Sequence, residues 1–90
     1  MKIDDKNSIL NANIDELGIP DYIAVLLKYE YIDTVDELIK YSKEELLHIL
    51  KDEKRLLELE AVLKNNGFIY VSNYGVGEWI YDGNENYLGD

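Results

Sequence analysis

The apolar positions of this chain change period once, near Gly67, and the change divides it into two parts. Before Gly67 they recur at spacings of three and four, the signature of helices that bury one face. Ile23, Leu26 and Leu27 form such a stripe behind Pro20, a residue whose missing N–H suits the first turn of a helix, and this helix is predicted to end near Tyr31. Thr34-Val35-Asp36-Glu37 reads as a capping box, in which the threonine oxygen takes a backbone N–H and the glutamate reaches back to the cap. It predicts a second helix running to about Tyr41, with Val35, Leu38 and Ile39 turned inward. Ser42-Lys43-Glu44-Glu45 repeats the device and opens a third helix through Leu46, Leu47, Ile49 and Leu50. The fourth and longest is predicted from about Glu53 to Asn66, capped by Asp52, lined by Leu56, Leu59, Val62 and Leu63, and stopped by Gly67. A helical turn at Ser8–Ala12 is expected ahead of them all.

Beyond Gly67 the pattern alternates. Phe68-Ile69-Tyr70-Val71 and Trp79-Ile80-Tyr81, rich in β-branched and aromatic residues, flank Gly75-Val76-Gly77 and predict a β-hairpin. An isolated hairpin is marginal in water, so one face, with Trp79 on it, has to rest on the helices or on a partner. Asp82-Gly83-Asn84-Glu85-Asn86 is turn-like, with Tyr87 and Leu88 a candidate third strand. The expected fold is mainly α: a compact four- to five-helix domain followed by a C-terminal β-hairpin. Residues 1–13 are its lead-in, 14–67 the helical module, and 68–90 the hairpin and a loose tail.

Composition narrows the function more than the fold. Ninety residues with a 47% hydrophobic fraction make one small domain. Such a chain buries only about 60–65% of its unfolded surface, which leaves little room for an enclosed active site. Its 19 acids exceed its 9 bases to give a net charge of −10, so the average surface repels a phosphate backbone. There is no cysteine, which removes disulfides and thiolate chemistry. Met1-Lys2-Ile3-Asp4-Asp5-Lys6 lacks the apolar centre of a signal peptide, and an untargeted cytoplasmic protein without membrane contact is expected.

The acids are unevenly placed. Asp15 to Glu37 holds seven against one lysine, Lys40 to Lys64 balances six against six, and from Phe68 onward Glu78, Asp82, Glu85 and Asp90 meet no base. Eight tyrosines and one tryptophan are interspersed with them, Tyr22, Tyr29, Tyr31, Tyr41, Tyr70, Tyr74 and Tyr81 among these. Aromatics offer large contact area at low entropy cost, and mixed tyrosine and carboxylate surfaces suit protein interfaces. Base stacking on them would require a cationic groove, which the sequence does not provide.

No enzymatic constellation stands out. His48 is the one histidine, and beside Leu47 and Ile49 it reads as a packed or half-exposed structural residue. Asp36-Glu37 and Glu44-Glu45 open helices, where the dipole favours negative charge, so they are caps before they are catalysts. Asp82-x-Asn84-x-Asn86 copies the start of a calcium loop but lacks the glycine at the sixth position and the closing glutamate. No enzyme activity, metal or cofactor is expected.

From Ile14 to Phe68 the chain resembles the C-terminal domain of the bacterial RNA polymerase alpha subunit, a compact domain with a helix-hairpin-helix core. The landmarks are Ile14-Asp15-Glu16-Leu17-Gly18-Ile19, similar to that family's extended opening segment; Leu27-Lys28 and Tyr31 to Ile39; Ser42 to Leu47; and Leu56 to Leu63 with Gly67-Phe68. The resemblance implies the fold, and it implies positions for DNA contact that are altered here. Tyr22 stands where the family places a minor-groove arginine, and Val25 where it places an asparagine. Its Gly-Lys-Lys-Ser run becomes Asp52-Glu53-Lys54-Arg55, one residue shorter before it, which puts acids where a phosphate would lie. Two surviving phosphate contacts would give a salt slope of only about −2.

The expectation is therefore a small acidic protein-binding module, monomeric or weakly dimeric, that meets a partner with a basic, nucleic-acid-binding surface. An inhibitor or modulator encoded by a phage or mobile element, such as an anti-CRISPR protein or a polymerase modulator, fits that description, with its acids mimicking nucleic-acid charge. Asp33, Asp36, Glu37, Tyr22, Glu78, Trp79 and Tyr81 are the candidate contacts. DNA is not an expected partner. The alternative is a weak DNA-binding regulatory domain acting through Lys51, Lys54 and Arg55.

Overall fold

The computed structural model describes residues 6–73 and 76–82. The candidate third strand at Tyr87 and Leu88, most of the calcium-like run after Asp82, and Tyr74 lie outside the described residues. Along the described chain come α1 (Lys6–Asn11), a 3₁₀ turn (Ile14–Leu17), α2 (Asp21–Tyr29), α3 (Val35–Leu38), α4 (Lys43–Leu50), α5 (Glu53–Asn65), β1 (Phe68–Asn73) and β2 (Val76–Tyr81). The result is a mostly helical domain with a C-terminal antiparallel hairpin.

The capping signals set the helix starts. Thr34 Oγ1 accepts from the Glu37 N–H at 3.3 Å and Glu37 Oε1 accepts from the Thr34 N–H at 3.2 Å. Ser42 and Glu45 make the same exchange at 3.2 and 2.9 Å, and Asp52 Oδ1 takes the Lys54 N–H at 2.9 Å. Two boxes so close together also explain why α3 is a single turn rather than reaching Tyr41. Ser42 has to be extended to cap α4 (ψ 169°), so Lys40 and Tyr41 finish α3 with the tighter i to i−3 bonds, 3.3 and 3.2 Å long. Pro20 stands one position earlier than expected, as the N-cap of α2 with ψ 145°, while its carbonyl accepts the Ile23 and Ala24 N–H groups.

The opening segment is not extended. Asn13 Oδ1 accepts the Asp15 N–H at 2.9 Å and starts the 3₁₀ turn, which turns Ile14 and Leu17 inward. This turn is held against the link between α2 and α3 by two backbone bonds, Ile14 N–H to Asp33 O (2.9 Å) and Val35 N–H to Ala12 O (3.0 Å). Ile14, Ile23, Leu27, Ile32, Val35, Leu38, Leu46, Leu50, Leu59, Leu63 and Phe68 are all essentially inaccessible, and no polar or charged residue is buried among the described residues. The core is thus held by apolar packing, and the charges lie outside it.

The hairpin closes this core instead of projecting from it. Phe68 faces Tyr81 and Tyr70 faces Trp79 across the ladder, so these four share the inner face. Their rings meet in tilted and edge-on pairs at 5.2 and 4.7 Å. Tyr70 Oη accepts the Lys43 N–H at 3.0 Å, and the Lys43 ammonium bonds Glu60 at 2.7 Å while lying 4.8 Å from the Tyr70 ring centre. Sheet, α4 and α5 are joined at that point. The strands reach further toward each other than expected, since Val76 and Gly77 belong to β2 and Asn73 pairs with Val76.

Two helix ends show what the chain does with left-handed residues. Gly67, φ 95°, follows α5 as a glycine should. At the end of α2 the same geometry is occupied by Tyr31, φ 62°. Its N–H bonds Lys28 O at 2.9 Å and the Ile32 N–H bonds Leu27 O at 3.0 Å, which is the bonding of a Schellman stop. A residue with a Cβ gives up about 1–2 kcal/mol there compared with its ordinary conformation.

Candidate interaction surface

The outward face of α2 is aromatic and apolar. Tyr22, Val25 and Tyr29, spaced i, i+3 and i+7, are 51%, 59% and 82% exposed, and Tyr31 just beyond them is 85% exposed. The inward face of the same helix is set by Ile23, Ala24 and Leu27, which leaves those residues no way into the core. A surface helix ordinarily presents polar residues there. Leu57 on α5, 62% exposed, is a further large apolar side chain in solvent.

The acidic stretch around this face is partly committed to the fold. Lys28, its one lysine, bonds Asp15 at 2.5 Å, and Asp36 pairs with Lys40 at 3.4 Å. Glu37 accepts the N–H groups of Asp33 and Thr34 in its capping box. Of the three acids in this stretch expected to meet a partner, Asp33 alone has an exposed carboxylate without a bonding partner among the described residues, and Glu30 joins it in that respect. A charge reversal at Glu37 would therefore remove the acceptor for both N–H groups and disturb the start of α3.

The Asp33 and Thr34 amides hold the Glu37 carboxyl below its ordinary value of 4.5. A depressed folded-state value contributes stability above the unfolded value and loses it as pH falls through the folded one. Glu37→Gln is therefore expected to be less stable than the parent chain at neutral pH, with the gap closing as the solution is acidified below that range. Urea denaturation at a series of pH values measures this; a gap independent of pH would show that the charge contributes nothing.

The positions that the resemblance assigns to DNA contact lie close together. Tyr22 Oη donates to the Glu58 carboxylate, a bond that raises the phenol above its ordinary value of 10.0, and Asp52 and Arg55 are near enough to act on it in opposite directions. Arg55 is half-buried, and its Nη1 donates to Leu50 O at 2.8 Å at the end of α4. Asp52 takes the Lys54 N–H in the first turn of α5 with its own carboxylate, in the place where a helix N-terminus would otherwise hold an anion. Lys51, in left-handed conformation with φ 57°, and Lys54 remain exposed on either side.

The hairpin residues divide. Trp79, expected as a partner anchor, is only 4% exposed and belongs to the core, because its strand position faces the helices together with Phe68 and Tyr70. Tyr81 is half-buried in the same face. Glu78 is exposed on the opposite face, which also carries Ile80 at 38% exposure. His48 is exposed, neither packed nor half-covered, and shares a shallow depression with Glu44, Leu47, Lys51, Asp52 and Glu53. Neither serine nor threonine stands among these residues. The described residues contain no group of acids and histidine placed to hold a metal ion.

The candidate contacts read from the sequence left out Val25, Tyr29, Tyr31, Glu30 and Leu57, although Tyr29 and Tyr31 stood among the tyrosines expected to suit an interface and Val25 among the altered DNA-contact positions. The helix phase carried the signal for α2, since once Ile23 and Leu27 point inward, Tyr22, Val25 and Tyr29 have to point out. No known protein family, curated protein or solved structure matches the chain. No helix among the described residues is long and apolar enough to cross a membrane.

Proposed function

We propose that this chain is a small acidic protein-binding module that inhibits or modulates a nucleic-acid-handling protein, as a phage-encoded anti-CRISPR protein or polymerase modulator would. The observation that carries the reading is the face of α2. Where the resembled family would read DNA with polar side chains, Tyr22 and Val25 stand exposed, continuous with Tyr29 and bordered by unpaired acids. Nearby, Asp52 occupies the α5 N-terminus and Arg55 is bonded to Leu50 O, so two elements that would meet phosphate are already satisfied within the chain. An aromatic surface with an acidic border complements a basic protein surface, with the charges governing encounter and the aromatics residence.

The alternative, a weak DNA-binding regulatory domain, rests on Lys51 and Lys54, which stay exposed beside α5. A gel-shift at low salt with AT-rich duplex DNA separates the two readings. At micromolar protein no retained complex is expected, because the acidic surface repels phosphate and too few bases are free. A salt-sensitive complex that disappears on replacing Lys51 and Lys54 by Ala would establish the alternative instead. The positive side is tested by pull-down from a cognate lysate: a basic nucleic-acid enzyme is expected among the captured proteins, released by salt and by competing nucleic acid.

A further inference from the structure

We infer that Tyr29 and Tyr31 form a docking point for an arginine side chain on a basic segment of the partner, with Glu30 and Asp33 supplying the counter-charge. This rests on the protein-binding reading above and goes beyond it in naming the contact and its chemistry. Packing does not explain Tyr31. The Schellman bonding at the end of α2 asks for glycine at this position, and a tyrosine 85% exposed returns almost nothing to the core. Tyr29, 82% exposed, completes the outward aromatic stripe of α2 within two residues of it.

The charge around the pair selects the occupant. Lys28 is neutralised by Asp15 at 2.5 Å, and no other base lies between Asp15 and Glu37. Glu30 and Asp33 flank Tyr31 in the chain, are exposed, and have no ion-pair partner among the described residues. A nucleic acid would bring phosphates to this acidic border and be repelled. A guanidinium suits both features at once: it stacks on an aromatic face while its planar fork bonds a carboxylate, and it is more weakly hydrated than an ammonium.

The test uses the full chain and a labelled oligo-arginine peptide, with oligo-lysine of equal length as comparator, by fluorescence anisotropy at low salt. The parent chain is expected to bind oligo-arginine more tightly than oligo-lysine. Tyr31→Gly is expected to melt at a higher temperature than the parent chain and yet to bind oligo-arginine about tenfold more weakly. Tyr31→Asn, which tolerates the left-handed backbone and lacks the ring, should lose binding to the same extent, while Tyr31→Phe keeps it. Asp33→Asn should weaken binding and flatten its salt dependence. If Tyr31→Gly and Tyr31→Asn bind oligo-arginine as the parent chain does, the docking point is overturned while the acidic-module reading stands. Equal affinity of the parent chain for the two peptides overturns the assignment to arginine. Binding of neither peptide removes the docking point and the acidic-module reading together.

Discussion

Trp79→Ala is expected to lower stability by about 3–5 kcal/mol, the range for truncating a large buried aromatic. Against a total of about 5–15 kcal/mol for a native domain, that loss takes this small protein close to unfolding at room temperature. Trp79 is 4% exposed, meets Tyr70 edge-on at 4.7 Å, and lies on the hairpin face that covers the core. Removing it opens a cavity between sheet and helices that side chains on a short core cannot refill. Trp79→Phe is expected to cost much less. It keeps a ring in place and removes an indole N–H that is buried without a partner among the described residues, a group that stabilises nothing where it stands. Urea denaturation followed by far-ultraviolet circular dichroism measures both, since tryptophan fluorescence is lost with the residue. A loss below about 1 kcal/mol for Trp79→Ala would contradict the burial argument. The consequence for function is direct: a binding defect in Trp79→Ala reports unfolding, so a contact through the hairpin has to be sought on its other face, at Glu78 and Ile80.

The acidic character of this chain is less uniform than its net charge of −10 suggests. Asp15 neutralises a lysine, Asp36 pairs with Lys40, Glu37 and Glu45 close capping boxes, Asp52 caps α5, and Glu60 anchors Lys43. These acids are spent on local structure. Such exposed or half-exposed pairs contribute little stability each, typically about 0–1 kcal/mol, but they remove the acids concerned from the set available to a partner. What remains around α2 is a small number of free carboxylates next to large exposed aromatics. Under the protein-binding reading proposed above, that mixture favours a specific contact over diffuse charge mimicry, because encounter depends on the charge and residence on the rings.

Most of the helical architecture was legible in local chemistry. Thr34 with Glu37, Ser42 with Glu45, Asp52 and Gly67 each act through groups within a few residues, so the sequence carries the whole interaction. The failures share a different cause. The 3₁₀ turn at Ile14–Leu17 is held in part by bonds to Asp33 and from Val35, which lie some twenty residues away in sequence. Gly77 reads as a turn residue from composition, yet it sits in β2 because Tyr70 crosses over it. Tyr31 was legible as a tyrosine among acids, but its left-handed backbone was not, because a helix stop usually announces itself by glycine. Trp79, Glu37 and Arg55 were read as contacts by residue type; Glu37 and Arg55 bond backbone groups within five residues, whereas the burial of Trp79 depends on the packing of the hairpin on the helices, which only the tertiary arrangement supplies.

Gly77→Ala should be costly for a reason that strand propensity alone would reverse. Alanine is a better strand residue than glycine in general, which favours the substitution by about 0.5–1 kcal/mol. A Cβ at Gly77, however, would overlap the Oη, Cζ and Cε2 atoms of Tyr70, and the ring has to move. Moving it breaks the bond from the Lys43 N–H at 3.0 Å, the ammonium contact at 4.8 Å and the edge-on pairing with Trp79 at 4.7 Å. Overpacking typically costs about 1–3 kcal/mol and a lost hydrogen bond about 1 kcal/mol more, so a net loss of about 2–3 kcal/mol is expected. The substitution also frees the first turn of α4 from the sheet, so amide exchange should rise at Lys43 as well as along β2. A double-mutant cycle isolates the cause. In a Tyr70→Ala background the space above Gly77 is empty, and there Gly77→Ala should be neutral or mildly stabilising. An equal cost in both backgrounds would mean that the glycine is needed for the strand itself and not to make room for the ring that ties the hairpin to the helices.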